Sequence, residues 1–211
     1  SMNARLGFMA ILFLALCGAS PLLADKFELQ GEVLLYDTDD APEGENEINW
    51  DDADELLEIL NNNPQIKTLH LKSGGGLIDA AIEMAETIME FNLDTRVSEA
   101  CESACVTLFL ASTHWSLRPR GELGFHRSSW DSTSMQTYYQ ETKFENGWAS
   151  PFDFSSWVYL EAQNDVLIEL KYLLKRGVSA DFAIKTLQAE SFDMWYPRRE
   201  LLEATGFISS Y

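Results

Sequence analysis

Ser103 stands between two cysteines in CESACVTLFLAS (residues 101–112), where an extended stretch gives way to an apolar run. A hydroxyl on the first turn of a helix meets unpaired N–H groups and the positive end of the helix dipole. Such a serine is either a nucleophile, with Ala104 N–H ready to stabilise an oxyanion, or an N-cap that serves only its own helix. Local sequence leaves both open. A nucleophile needs a base, and the chain has three histidines. His70 lies within TLHLK and reads as a packed strand residue, whereas His114, in the turn-like STHWS, reads as exposed. His126 ends a strand in GELGFHRSS, 23 residues after Ser103. In a parallel sheet Ser103 and His126 would share the C-terminal edge of the strands, where α/β sites form, and His126 could take the serine proton. A carboxylate must still fix the imidazole tautomer, and a chain with 34 acidic residues does not single one out by charge.

A second feature is KSGGG (72–76), which follows the strand-like IKTLHL directly. Three consecutive glycines let backbone approach something closely, with N–H groups turned toward an anion. No Lys-Ser/Thr follows, so this is no phosphate-binding P-loop, and consecutive glycines do not match the dinucleotide fingerprint. It is either a donor of oxyanion hydrogen bonds or a tight strand-to-helix turn. Cys101 and Cys105 are likewise open between a disulfide and two packed thiols. Four residues apart on a regular helix they are slightly too far for a relaxed bridge, but Cys101 precedes the helix and can bend inward. No further cysteine or nearby histidine completes a zinc site, and no cofactor is implied.

The elements that must position these groups alternate. Phe27–Tyr36 reads as a strand. An acidic loop (37–52) follows, then a helix over Ala53–Leu60 capped by Asp51 or Asp52 and broken by NNNPQ. After the strand Ile66–Leu71 comes a helix over Asp79–Phe91 with Ile82, Ala85, Ile88 and Met89 on one face. A strand near Thr95–Ser98, the helix from Ser103 through Leu110 and a strand at Glu122–His126 complete a parallel α/β pattern. Ser128–Ser155 reads as a long irregular excursion, rich in Ser, Thr, Tyr and Trp, of the kind that usually has a function. Helices follow at about Ser156–Arg176, Ser179–Ala189 and Pro197–Thr205, with a short extended piece at Phe192–Tyr196. No linker interrupts residues 25–211, which read as one domain.

The chain has 211 residues and a formal charge of −19. So acidic a surface repels nucleic acid and anionic headgroups, excluding both as partners. Ser1 before Met2 reads as a cloning scar. Arg5, the apolar run Leu6–Leu16 and the small residues Ala19 to Ala24 read as a secretory signal peptide ending at Ala24, too short for a spanning helix. Cleavage would leave 14 basic against 34 acidic residues, a net −20, and a periplasmic or secreted protein. Of three cysteines only Cys101 and Cys105 would remain, in a compartment that favours pairing them. Leu16 before Cys17 is too large for a lipoprotein box, which argues against a lipid anchor there.

TLHLKSGGGLIDAAIEMAETI, CESACVTLFLAS, GELGFHRS and ESFDMWYPRRELLEATGFIS occur in the order of the blocks of the Clp protease proteolytic subunit. The chain resembles the ClpP/crotonase superfamily over about Phe27 to Ser209, and exported ClpP-like proteins in particular. The resemblance implies an α/β spiral of β-β-α units with a mainly parallel sheet. It also implies a Ser-His-Asp triad: Ser103 as nucleophile, His126 as base and Asp193 as the orienting carboxylate. The oxyanion donors would be the N–H groups of Gly76 and Ala104, with Gly74 and Gly75 shaping the substrate turn. Gly74 stands where the family has proline, and Glu102 beside the serine would oppose an oxyanion unless it points to water. Residues 128–155 lack the helix-strand pattern of the family's ring-stacking handle, so the double-ring barrel does not carry over. An exported protein would meet no ATPase partner. The implied function is a periplasmic serine peptidase acting on peptide or protein through an acyl-enzyme, as a homo-oligomer. The alternatives are a non-catalytic binding or assembly module on the same scaffold and an acyl-CoA enzyme of the crotonase branch.

Overall fold

The structure is a computed structural model and describes residues 25–208. The expected signal peptide and Cys17 lie outside the described residues. Phe27–Tyr36 is not one strand but a hairpin. Strands β1 (Phe27–Gln30) and β2 (Val33–Asp37) pair antiparallel around Gly31, whose φ of +68° suits glycine. Helix α1 (Trp50–Asn62) is capped by Asn49 rather than by Asp51 or Asp52. Asp52 occupies the third helical position and returns the bond to the Asn49 N–H, forming a capping box. Its buried carboxylate also accepts from Lys26 Nζ and Tyr36 OH, which ties the hairpin to α1.

Strand β3 (Thr68–Ser73) leads through the glycine turn into α2 (Ile78–Glu90), and β4 (Asp94–Glu102) leads through Ser103 into α3 (Ala104–Ala111). Two short strands follow, β5 (Trp115–Leu117) and β6 (Glu122–Gly124). The order is β1-β2-β3-β4-β5, with β6 also on β4, and every pairing after the hairpin is parallel. The expected mainly parallel α/β architecture is therefore present. Its centre is β4, whose first half pairs with β5 and whose second half, Ala100–Glu102, pairs with β6. Between those halves its register against β3 slips from Leu71↔Val97 to Ser73↔Cys101. This bulge re-aims the strand just before Ser103.

Helix α3 is apolar all round because it is buried on nearly every side. Its last carbonyls, which have no partner within the helix, are met from outside. Arg176 donates to the carbonyls of Leu110, Ala111 and Ser112, and Tyr172 OH donates to that of Thr107. Both belong to, or directly follow, the long helix α5 (Pro151–Lys175). The excursion read as irregular holds α4 (Ser132–Thr142), capped by Asp131, and the first turn of α5, opened by Ser150 and Pro151. Trp130, Tyr138, Trp148, Phe154 and Trp157 pack on one another there, so ring contacts order a segment without clear periodicity. Helices α6 (Ala180–Thr186) and α7 (Arg199–Ala204) close the chain.

Candidate active site

Ser103 has φ +52° and ψ −125°, and its side chain makes no capping hydrogen bond. Backbone of this kind is costly for a non-glycine residue and persists only where the surroundings impose it. An N-cap serine sits in the extended region and bonds its own helix. Ser103 does neither. It is held at both backbone ends: its N–H donates to Gly124 O (2.9 Å), and its carbonyl accepts from Val106 N–H (3.0 Å). Cys101 and Cys105 form a buried disulfide across it, joining the end of β4 to the first turn of α3.

The glycine turn lies directly against this residue. A Cβ on Gly75 would come within 2.8 Å of Ser103 Cβ and 3.1 Å of Ala104 N. Gly75 and Gly76 have φ of +99° and +152°, so both conformation and space demand glycine. Gly75 N–H donates to Ser73 Oγ, which Thr38 Oγ1 also meets at 2.7 Å, and Gly74 N–H donates to Asp39. Gly76 is fixed by a parallel bridge to Ile48. The N–H groups of Gly76 and Ala104 make no hydrogen bond among the described residues. These are the two donors expected to face an oxyanion, whereas the Gly74 N–H is already committed.

His126 follows β6 by two residues and lines one cleft with Ser103 and Ala104. No hydrogen bond joins Ser103 Oγ to the imidazole among the described residues. The stretch around His126 is zipped to the C-terminal segment: Phe125 and Trp195 exchange both backbone bonds (2.9 and 2.8 Å), and Arg127 N–H donates to Ala189 O (3.0 Å). Between those anchors His126 Nδ1 meets Ser191 O at 2.9 Å. A carbonyl only accepts, so Nδ1 carries the proton and Nε2 is left as a lone-pair acceptor.

The expected Asp193 contact is absent among the described residues. A turn closed by Asp193 N–H on Glu190 O leaves Asp193 exposed and brings the Ser191 carbonyl to the ring instead. His70 is half-buried in β3, and burial lowers its pKa; His114 is exposed. Glu102 does not stand free beside Ser103. Its carboxylate accepts from Tyr196 OH, a bond that, with burial second, pushes the phenol up to about 12.

The cleft runs between three helices. Ile78 and Ile82 of α2, Val106 and Thr107 of α3, and Ile168, Glu169, Tyr172 and Leu173 of α5 line it with Phe125 and Ser128. Sequence reasoning missed the α5 wall and the Ser191 carbonyl. The first had a signal in the one-face spacing of Ile168, Tyr172 and Glu169, Leu173; a main-chain acceptor has none.

No family model matches the chain, and no curated protein matches it in sequence. Solved structures do match in fold. A ClpP1 mutant from Listeria monocytogenes superposes with a TM-score of 0.52 at 13% identity, over 77% of this chain and 84% of the other. The ClpP protease catalytic domain from Plasmodium falciparum gives 0.51 at 15%, over 77% and 79%. A protein assigned as an enoyl-CoA hydratase from Streptomyces coelicolor gives 0.50 at 15%, over 99% and 71%. The chain has the ClpP/crotonase fold. Identity this low carries the fold and leaves the chemistry to the site.

Proposed function

We propose that this protein is an exported serine hydrolase of ClpP type that cleaves peptides through an acyl-enzyme. One observation carries the reading: a serine in strained backbone, free of any capping bond, shares a cleft with an imidazole whose Nδ1 is committed to a carbonyl. Ser103 Oγ attacks the scissile carbonyl while His126 Nε2 takes its proton. The developing oxyanion receives the unpaired N–H groups of Gly76 and Ala104. His126 then gives the proton to the leaving amine, and water repeats the sequence on the acyl-enzyme. The Ser191 carbonyl, not Asp193, holds the ring in its working tautomer. Export fits the buried disulfide, which an oxidising compartment maintains. Exposed Phe152, Tyr159, Leu160 and Leu167 on α5 support assembly of several copies.

A fluorophosphonate probe is expected to label the wild type, to leave Ser103→Ala unlabelled, and to react about 100-fold or more slowly with His126→Ala. Equal labelling of wild type and Ser103→Ala would end the proposal. The missing hydrogen bond between Oγ and the imidazole favours the second reading, a binding module on this scaffold, and a folded wild type that takes no label would support it over the first. A catalytic pair can also draw together only when substrate binds.

A further inference from the structure

The cleft that holds Ser103 and His126 is apolar on most of its wall, with Ile78, Ile82, Val106 and Leu173 contributing. Into this lining α5 brings a carboxyl, Glu169, which makes no hydrogen bond or ion pair among the described residues. Tyr172 one turn on does not serve it, since its hydroxyl is spent on Thr107 O. Burial raises the Glu169 pKa and Asp165 raises it further. Asp165 is in turn raised by burial, Asp79 and Glu161, so like charges of α2 and α5 surround it with no offsetting cation among these causes. An unpaired acid in an apolar wall lowers stability unless something supplies its charge. The cavity is about 50 Å³, room for on the order of four waters.

We propose that Glu169 sets the specificity of this cleft, which takes the aliphatic stem and cationic tip of a lysine or arginine on the acyl side of the cleaved bond. Cleavage here rests on the hydrolase reading, whereas cation binding rests on the cavity alone. The stem replaces water against the isoleucines, and the tip meets the carboxylate, whose charged form a cation favours. The surrounding negative field also gathers cationic peptides toward the mouth.

Two measurements test it. Matched fluorogenic peptides carrying Lys, Arg, Met or Phe before the scissile bond are compared on wild type and Glu169→Gln, with thermal unfolding confirming that both are folded. The wild type is expected to prefer Lys and Arg, and the Lys-to-Met ratio of kcat/KM is expected to fall about 100-fold in Glu169→Gln. Partial recovery of the ratio in Glu169→Asp would mark the carboxylate as the cause. A wild-type preference for Met or Phe, or an unchanged ratio in the variant, overturns the proposal. Separately, agmatine, a linear guanidine without a scissile bond, is titrated into Ser103→Ala and Ser103→Ala/Glu169→Gln and followed by amide NMR. Saturable shifts at α5 and the 126–128 segment in the first, lost in the second, support the cation pocket even if no peptide is cut. Absence of such shifts, or equal shifts in both, refutes it, whatever becomes of the hydrolase.

Discussion

At the residue scale, the arrangement depends on backbone as much as on side chains. Gly75→Ala would need a Cβ 2.8 Å from that of Ser103, at a φ of +99°. It is expected to abolish labelling of the serine, since neither residue can yield without moving the N–H groups of Gly76 and Ala104. Asp193→Asn is expected to keep activity within about threefold, because the ring is held by a main-chain carbonyl; a loss of the 10⁴ order seen when a buried triad aspartate is replaced would restore the carboxylate to the mechanism. That Ser103 and His126 share one cleft was accessible from sequence because a serine opening a helix and a histidine closing a strand are local patterns. The acceptor at Ser191 was not, since any residue offers the same carbonyl and only the turn at 190–193 selects it. Glu169 lay hidden for a related reason. On sequence it is one of four acids along α5, and only the packing of three helices makes it part of a wall.

Among the elements, α3 is the part on which the site turns. The disulfide holds its first turn and Arg176 holds its last carbonyls. Arg176→Ala would leave three carbonyls short of donors and is expected to cost about 2–3 kcal/mol in unfolding free energy. In a chain of this size that is a fall in Tm of roughly 4–12 °C by calorimetry. Opening the disulfide with Cys101→Ser/Cys105→Ser is expected to lower the rate of Ser103 labelling more than it lowers Tm, because the loop it encloses is only a few residues long. A large Tm loss with unchanged labelling would give the bridge a purely structural role. The alternation of strands and helices around α3 followed from periodicity. The hairpin at Gly31 and the helix α4 did not: one strand-like run folded back on itself, and ring-on-ring packing ordered a segment with no repeating apolar face.

Over the whole molecule, charge sets the response to pH and salt. The carboxyls of Asp39, Glu55, Asp165 and Glu169 are all raised, burial being the first cause in each. The folded state therefore binds more protons than the unfolded chain just above the ordinary carboxylate range, and stability falls as pH rises through it. His70 works the other way: its lowered pKa costs stability below about 6.5, where the unfolded chain protonates first. With a net charge of −19, self-repulsion is screened by salt, so Tm at pH 8 is expected to rise with added salt, and a Tm that falls would contradict it.

The most direct measurement of the central claim is acid-quench mass spectrometry during turnover of an activated peptide ester. An acyl increment is expected on the peptide that contains Ser103, appearing before steady-state product and absent from Ser103→Ala. Turnover with no adduct, or an adduct on another residue, would contradict the account.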